Sequence, residues 1–165
     1  MLVVLNDVVT ITLATDRAWV SPGPEKWSVR EIGKIAAIFA AGWLVLGLAI
    51  VWAARDVLAL PVPQIQTLMF VYLIYSAQTT IYLTRVRGRL WSFAPSLYVA
   101  LATVGNAVIA TIMAYVGALA APVPGAVLFG LLVVVLAATL LLDEFKLVFF
   151  KRTRISNPVG DAVAS

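Results

Sequence analysis

The 165-residue chain contains no cysteine and no histidine, and only 12% of its residues are charged. Without cysteine there are no disulfides and no thiolate metal sites, although nothing follows about redox compartment. Without histidine the usual general base, the usual pH switch and the commonest metal ligand are absent. No phosphate-cradling glycine loop, G-x-S-x-G elbow or H-E-x-x-H pair occurs anywhere in the sequence. The longest polar connection, roughly 16–34, is proline-containing and too short to bury a core of its own. The chain is therefore expected not to hydrolyse ATP by itself.

What is abundant is apolar surface. Hydrophobic residues make up 62% of the sequence and the mean hydropathy is +1.01, whereas soluble domains carry about 45–50% apolar and about 25% charged residues. Long apolar runs point to an integral membrane protein of all-α class. Five runs can be drawn: a short one over 1–14, then helices over about 30–54, 65–84, 94–121 and 125–150, followed by a polar tail over 156–165. The expected fold is thus a polytopic helix bundle with one N-terminal half-span and four full transmembrane helices. The first run falls short of the roughly 20 residues needed to cross. It reads as the second half of a span whose first half lies upstream. It also lacks the basic leader and small-residue cleavage site of a secretory signal.

The basic residues are distributed unevenly. Arg17, Lys26, Arg30 and Lys34 precede the first full span; Arg85, Arg87 and Arg89 follow the second; Lys146, Lys151, Arg152 and Arg154 end the fourth. If all four spans cross, eleven of the twelve basic residues share one side and only Arg55, beside Asp56, lies opposite. The positive-inside rule makes the basic side cytoplasmic. The net charge of +4 then reflects orientation, and no nucleic-acid partner is expected.

Polar side chains inside the spans are few. The second full span is the richest, with Gln66, Thr67, Tyr72, Tyr75, Ser76, Gln78, Thr79 and Thr80. Tyr75 and Thr79 share a face at i and i+4, which suits hydrogen bonding to neighbouring helices; lining of a transport path is the less favoured alternative. Gly42, Gly47, Gly105, Asn106 and Gly117 read as close-packing positions. The tryptophans lie mostly near span ends, as interfacial anchors do. Pro95 suits a first helical turn. Asp143, Glu144 and Lys146 close the last span, where an acid and a base can pair at the surface.

The most informative acid is Asp7, next to Asn6 and set in the apolar run 1–14. A carboxylate at hydrocarbon depth costs about 2.5–3.5 kcal/mol on the lenient insertion scale, which makes function the default hypothesis. The alternative is that Asp7 caps a short helix from Val8, outside the membrane.

Leu5-Asn6-Asp7, Thr10 and Asp16-Arg17, set beside Ser21-Pro22, Pro24 and Trp27, resemble the proton-exporting P-type ATPases of plasma membranes, from the middle of their sixth membrane helix onward. Thr84-Arg85-Val86-Arg87 with Trp91-Ser92-Phe93 is similar to that family's loop after helix eight. Asp143-Glu144-Phe145-Lys146 is similar to the end of helix ten. The resemblance covers residues 1 to about 155. It implies a C-terminal transmembrane domain over 1–155, with Asp7 as the carboxylate that takes up and releases a proton and Asn6 as its neighbour at the transport site. The family's phosphorylated Asp-Lys-Thr-Gly-Thr segment, its nucleotide and actuator domains and helices one to five do not occur in this sequence. The resemblance therefore implies, as partners, the lipid bilayer, a proton or other cation and, if the pump is split, a separate N-terminal pump portion. It implies no cofactor within the chain, with ATP and Mg2+ belonging to the complete pump. Two other readings remain open: a small multipass accessory protein with Asp7 exposed, and a non-functional remnant.

Overall fold

The computed structural model describes residue 11 and residues 29–85, 89–90, 95–118 and 120–152. Among them are four long helices and no strand: α1 (Val29–Trp52), α2 (Val62–Arg85), α3 (Leu97–Val116) and α4 (Gly125–Arg152). Together they form a small membrane helix bundle. The stretches Gly33–Val57, Leu97–Val116 and Gly125–Val148 are each long and apolar enough to cross a membrane. Helix α2 is long enough as well, but its many polar residues dilute it.

That polarity goes with position, because α2 is the central element and packs against all three others. A helix in contact on several sides can afford hydroxyls and amides, since neighbours satisfy them. On α1 the inward stripe is Phe39, Trp43, Leu46 and Ile50, continued by Ala54 just beyond its end, spaced three to four apart as a helix face requires. Its outward residues are equally apolar: Leu44, Val45, Leu48 and Trp52 are all exposed. Similar outward faces on α3 (Leu101, Val104, Ile112) and α4 (Val133, Leu140, Leu141) suit lipid rather than water.

The ends of the helices depart from expectation in ways the local chemistry explains. Helix α1 runs on as a π-helical turn, Ala53–Val57, which carries Arg55 and Asp56. The chain reverses at Ala59 and re-enters at α2, whose first turn includes Pro63. A proline there loses an amide hydrogen that had no intrahelical acceptor, so the helix starts within the Pro-Val-Pro sequence, at Val62, rather than after it. Pro95 lies outside α3: Ser96 caps it, its side chain accepting from the Val99 amide, and the helix begins at Leu97. Helix α3 stops at Val116 rather than reaching Ala121, because Gly117 turns left-handed (φ 75°) and donates its amide to the Met113 carbonyl.

The expected close-packing glycines divide. At Gly42 and Gly47 an added Cβ would meet Leu142 at 2.7 Å and the Tyr72 ring at 3.1 Å. Gly105 meets nothing within 4 Å. Trp43, unlike an interfacial anchor, sits in mid-helix and packs against the core.

Candidate functional site

Asp7 and Asn6, the residues singled out for proton or ion binding, lie outside the described residues, as does the half-span around them. Within the described bundle two polar constellations occupy places where water is scarce.

The first is an ion pair at one end of the bundle. Asp143 and Lys146, one turn apart on α4, approach to 2.7 Å with both side chains 2% exposed. The sequence suggests pairing at the surface; the structure forms the pair but buries it. Burial arises because the turn after α2 folds over the end of α4. Asp143 Oδ2 accepts the Leu90 amide at 3.0 Å, and Lys146 Nζ donates to the Leu83 carbonyl at 3.2 Å. Leu83, one of the frayed carbonyls at the end of α2, thereby gains a charged donor. Phe39 of α1, Leu83 and Leu142 form a small apolar cluster at the same end of the bundle. Nearby, Arg89 and Glu144 make a looser contact at 3.8 Å, more than half exposed, which contributes little.

The second is a polar seam between α2 and α3. Tyr75 Oη and Thr111 Oγ1 are 2.6 Å apart, and Tyr82 Oη and Thr103 Oγ1 are 2.5 Å apart. Each threonine spends its one hydroxyl hydrogen on its own helix, Thr111 on the Ala107 carbonyl and Thr103 on the Val99 carbonyl. In both pairs the tyrosine must therefore be the donor. Between these two rungs sit Gln78 and Asn106, each 5% exposed, whose side-chain oxygens Oε1 and Oδ1 accept no hydrogen bond among the described residues. On the other flank of α2, Tyr72 donates to the Trp43 carbonyl of α1. Ser76, Thr79, Thr80 and Thr84 instead return their hydroxyls to carbonyls of α2 itself. Thus the tyrosines, not the whole polar face, connect helices.

At the opposite end, Gln64 Nε2 donates to the Pro122 carbonyl at 2.9 Å and Thr67 Oγ1 accepts the Ala121 amide. No cluster of acidic side chains able to hold a metal ion occurs among the described residues.

Sequence reasoning located the polar face of α2 and the Asp143–Lys146 spacing, but it read Asn106 only as a close-packing position and did not set it beside Gln78. The signal was available: Asn106 and Gln78 are the only carboxamides well inside the four full spans.

No family model matches the chain. Over 156 residues, 94% of its length, it is 28% identical to a protein of Methanocaldococcus jannaschii that bears the name "Putative cation-transporting ATPase". The matched region is 19% of that protein, so the chain spans about one fifth of the length of the relative it resembles. Similarity to a cation-transporting ATPase thus extends along nearly the whole of this membrane bundle.

Proposed function

We propose that this chain forms the C-terminal membrane portion of a P-type ATPase that exports protons across the plasma membrane. The observation that carries the reading is the alignment with a cation-transporting ATPase over 94% of the chain. Its support from the residues is the order of Asn6-Asp7, Ser21-Pro22-Gly23-Pro24, Thr84-Arg85 and Asp143-Glu144-Phe145-Lys146 along one sequence. Asp7 is the proton carrier and Asn6 its neighbour. Switching between a dry state that favours the acid and a state near positive charge or water that favours the carboxylate moves the proton. The described helices act as the comparatively fixed scaffold, with their basic ends in the cytoplasm. ATP hydrolysis is the work of polypeptide outside this sequence.

A proton suits a single carboxylate, because a hard divalent cation calls for several oxygen ligands. The test is Asp7→Asn in the assembled pump, reconstituted in vesicles, with ATP-driven acidification as the readout. Pumping is expected to be lost while the protein still assembles. Undiminished acidification would remove Asp7 from the transport step and with it the proton assignment.

A further inference from the structure

Two buried acceptors without donors among the described residues lie at one level of the α2–α3 seam. The helices run antiparallel, and their register is fixed by the Tyr75–Thr111 and Tyr82–Thr103 rungs. Gln78 is one turn beyond Tyr75 and one turn short of Tyr82; Asn106 falls between Thr103 and Thr111 in the same interval. Successive residues of a helix rise 1.5 Å, so the two carboxamides are within about one turn of each other along the seam. Both are 95% shielded, and leaving a buried acceptor unmade costs about 1–3 kcal/mol. Two such losses at one spot ask for a shared donor.

We infer that Gln78 and Asn106 hold a water molecule between α2 and α3, which donates one hydrogen to each side-chain oxygen. The chemistry selects the ligand. Two neutral carbonyl oxygens need two hydrogens, which one water supplies, and a buried water typically makes about three hydrogen bonds. The flanking hydroxyls are not competing donors, because each tyrosine hydrogen goes to a threonine and each threonine hydrogen to a backbone carbonyl. No carboxylate lies among the described residues of α2 or α3, so nothing in the seam offsets the dehydration of a divalent cation.

The water is a hydrogen-bonded pin that fixes how α2 sits on α3, and its presence does not depend on the transport role proposed above. To detect it, the full chain labelled with 15N-glutamine and 15N-asparagine is placed in lipid nanodiscs. Magnetisation transfer from water to the side-chain amides is then measured by solid-state NMR. Gln78→Leu and Asn106→Leu identify the two signals. Transfer to both carboxamides, with exchange much slower than at the exposed Gln66, is the expected result. No transfer to either, or a direct Gln78–Asn106 hydrogen bond, would overturn the inference, and so would a shift of both signals on exchanging sodium for potassium.

Thermal unfolding gives a second reading. Each single leucine variant removes one acceptor and leaves the other with a less well-held water. The inference expects the double variant to lower Tm by clearly less than the two singles combined. Strict additivity would mean that the two amides do not share a ligand.

Discussion

Lys146 Nζ sits between two oxygens, Asp143 Oδ1 and the Leu83 carbonyl, where side chains are 2% exposed. Removing the cation alone leaves a buried carboxylate whose remaining partner is one backbone amide, and breaking a buried pair in this way costs about 3–5 kcal/mol. Lys146→Met is therefore expected to lower the melting temperature of the purified protein more than any single exposed substitution. The double variant Asp143→Leu/Lys146→Met removes both charges and gives up neutral hydrogen-bond partners such as the Leu90 amide and Leu83 carbonyl instead of stranding a buried charge, so it is expected to be less damaging than Lys146→Met. Equal or additive losses in thermal melts would contradict burial of the pair. Tyr82→Phe tests the seam at the same scale. It withdraws the donor to Thr103 but leaves the threonine bonded to Val99, a loss of about 0.5–1.5 kcal/mol. The spacing of Asp143 and Lys146 is legible in the sequence, since residues three apart on a helix meet. Their burial is not, because it depends on Leu90, more than fifty residues away, folding over the end of α4.

At the level of elements, helix identity followed from apolar length, and helix ends did not. Hydrophobicity continues smoothly from Val116 through Ala121, so nothing in the apolar pattern marks the stop that Gly117 imposes through its backbone. The glycines make the difference testable. Gly117→Ala places a side chain at φ 75°, with Pro122 Cδ 2.9 Å from the new carbon. A left-handed non-glycine residue costs about 1–2 kcal/mol, and the contact with Pro122 adds to it. Gly105→Ala meets open space inside α3 and is expected to be neutral or to stabilise by up to about 1 kcal/mol. Paired melts of the two variants separate a capping glycine from a merely helical one; a Gly105→Ala protein less stable than Gly117→Ala would reverse the assignment. Gly47→Ala falls between, since its new Cβ would lie 3.1 Å from the Tyr72 ring, whose hydroxyl is held by Trp43.

For the whole molecule, the up-and-down course of the helices follows from contacts at both ends. Lys146 of α4 reaches Leu83 of α2, which clusters with Phe39 in the first half of α1. At the other end Gln64 and Thr67 of α2 meet the 117–124 turn. Lys34, Arg89 and Lys146 thus belong to one end of the bundle and Arg55 to the other, the segregation that the charge pattern implies. Because the natural chain has no cysteine, single cysteines can report which end faces the cytoplasm. Lys34→Cys and Glu144→Cys mark the basic end, and Asp56→Cys marks the opposite end; all three positions are exposed. A membrane-impermeant maleimide added to intact cells is expected to modify only Asp56→Cys, whereas after permeabilisation all three react. Placing basic residues outside would oppose both the insertion bias and the membrane potential, which is worth about 2.3 kcal/mol per charge per 100 mV. Labelling of Lys34→Cys in intact cells would therefore invert the bundle and move the proposed proton exit to the cytoplasmic side. Labelling of both ends would show that the helices do not all cross.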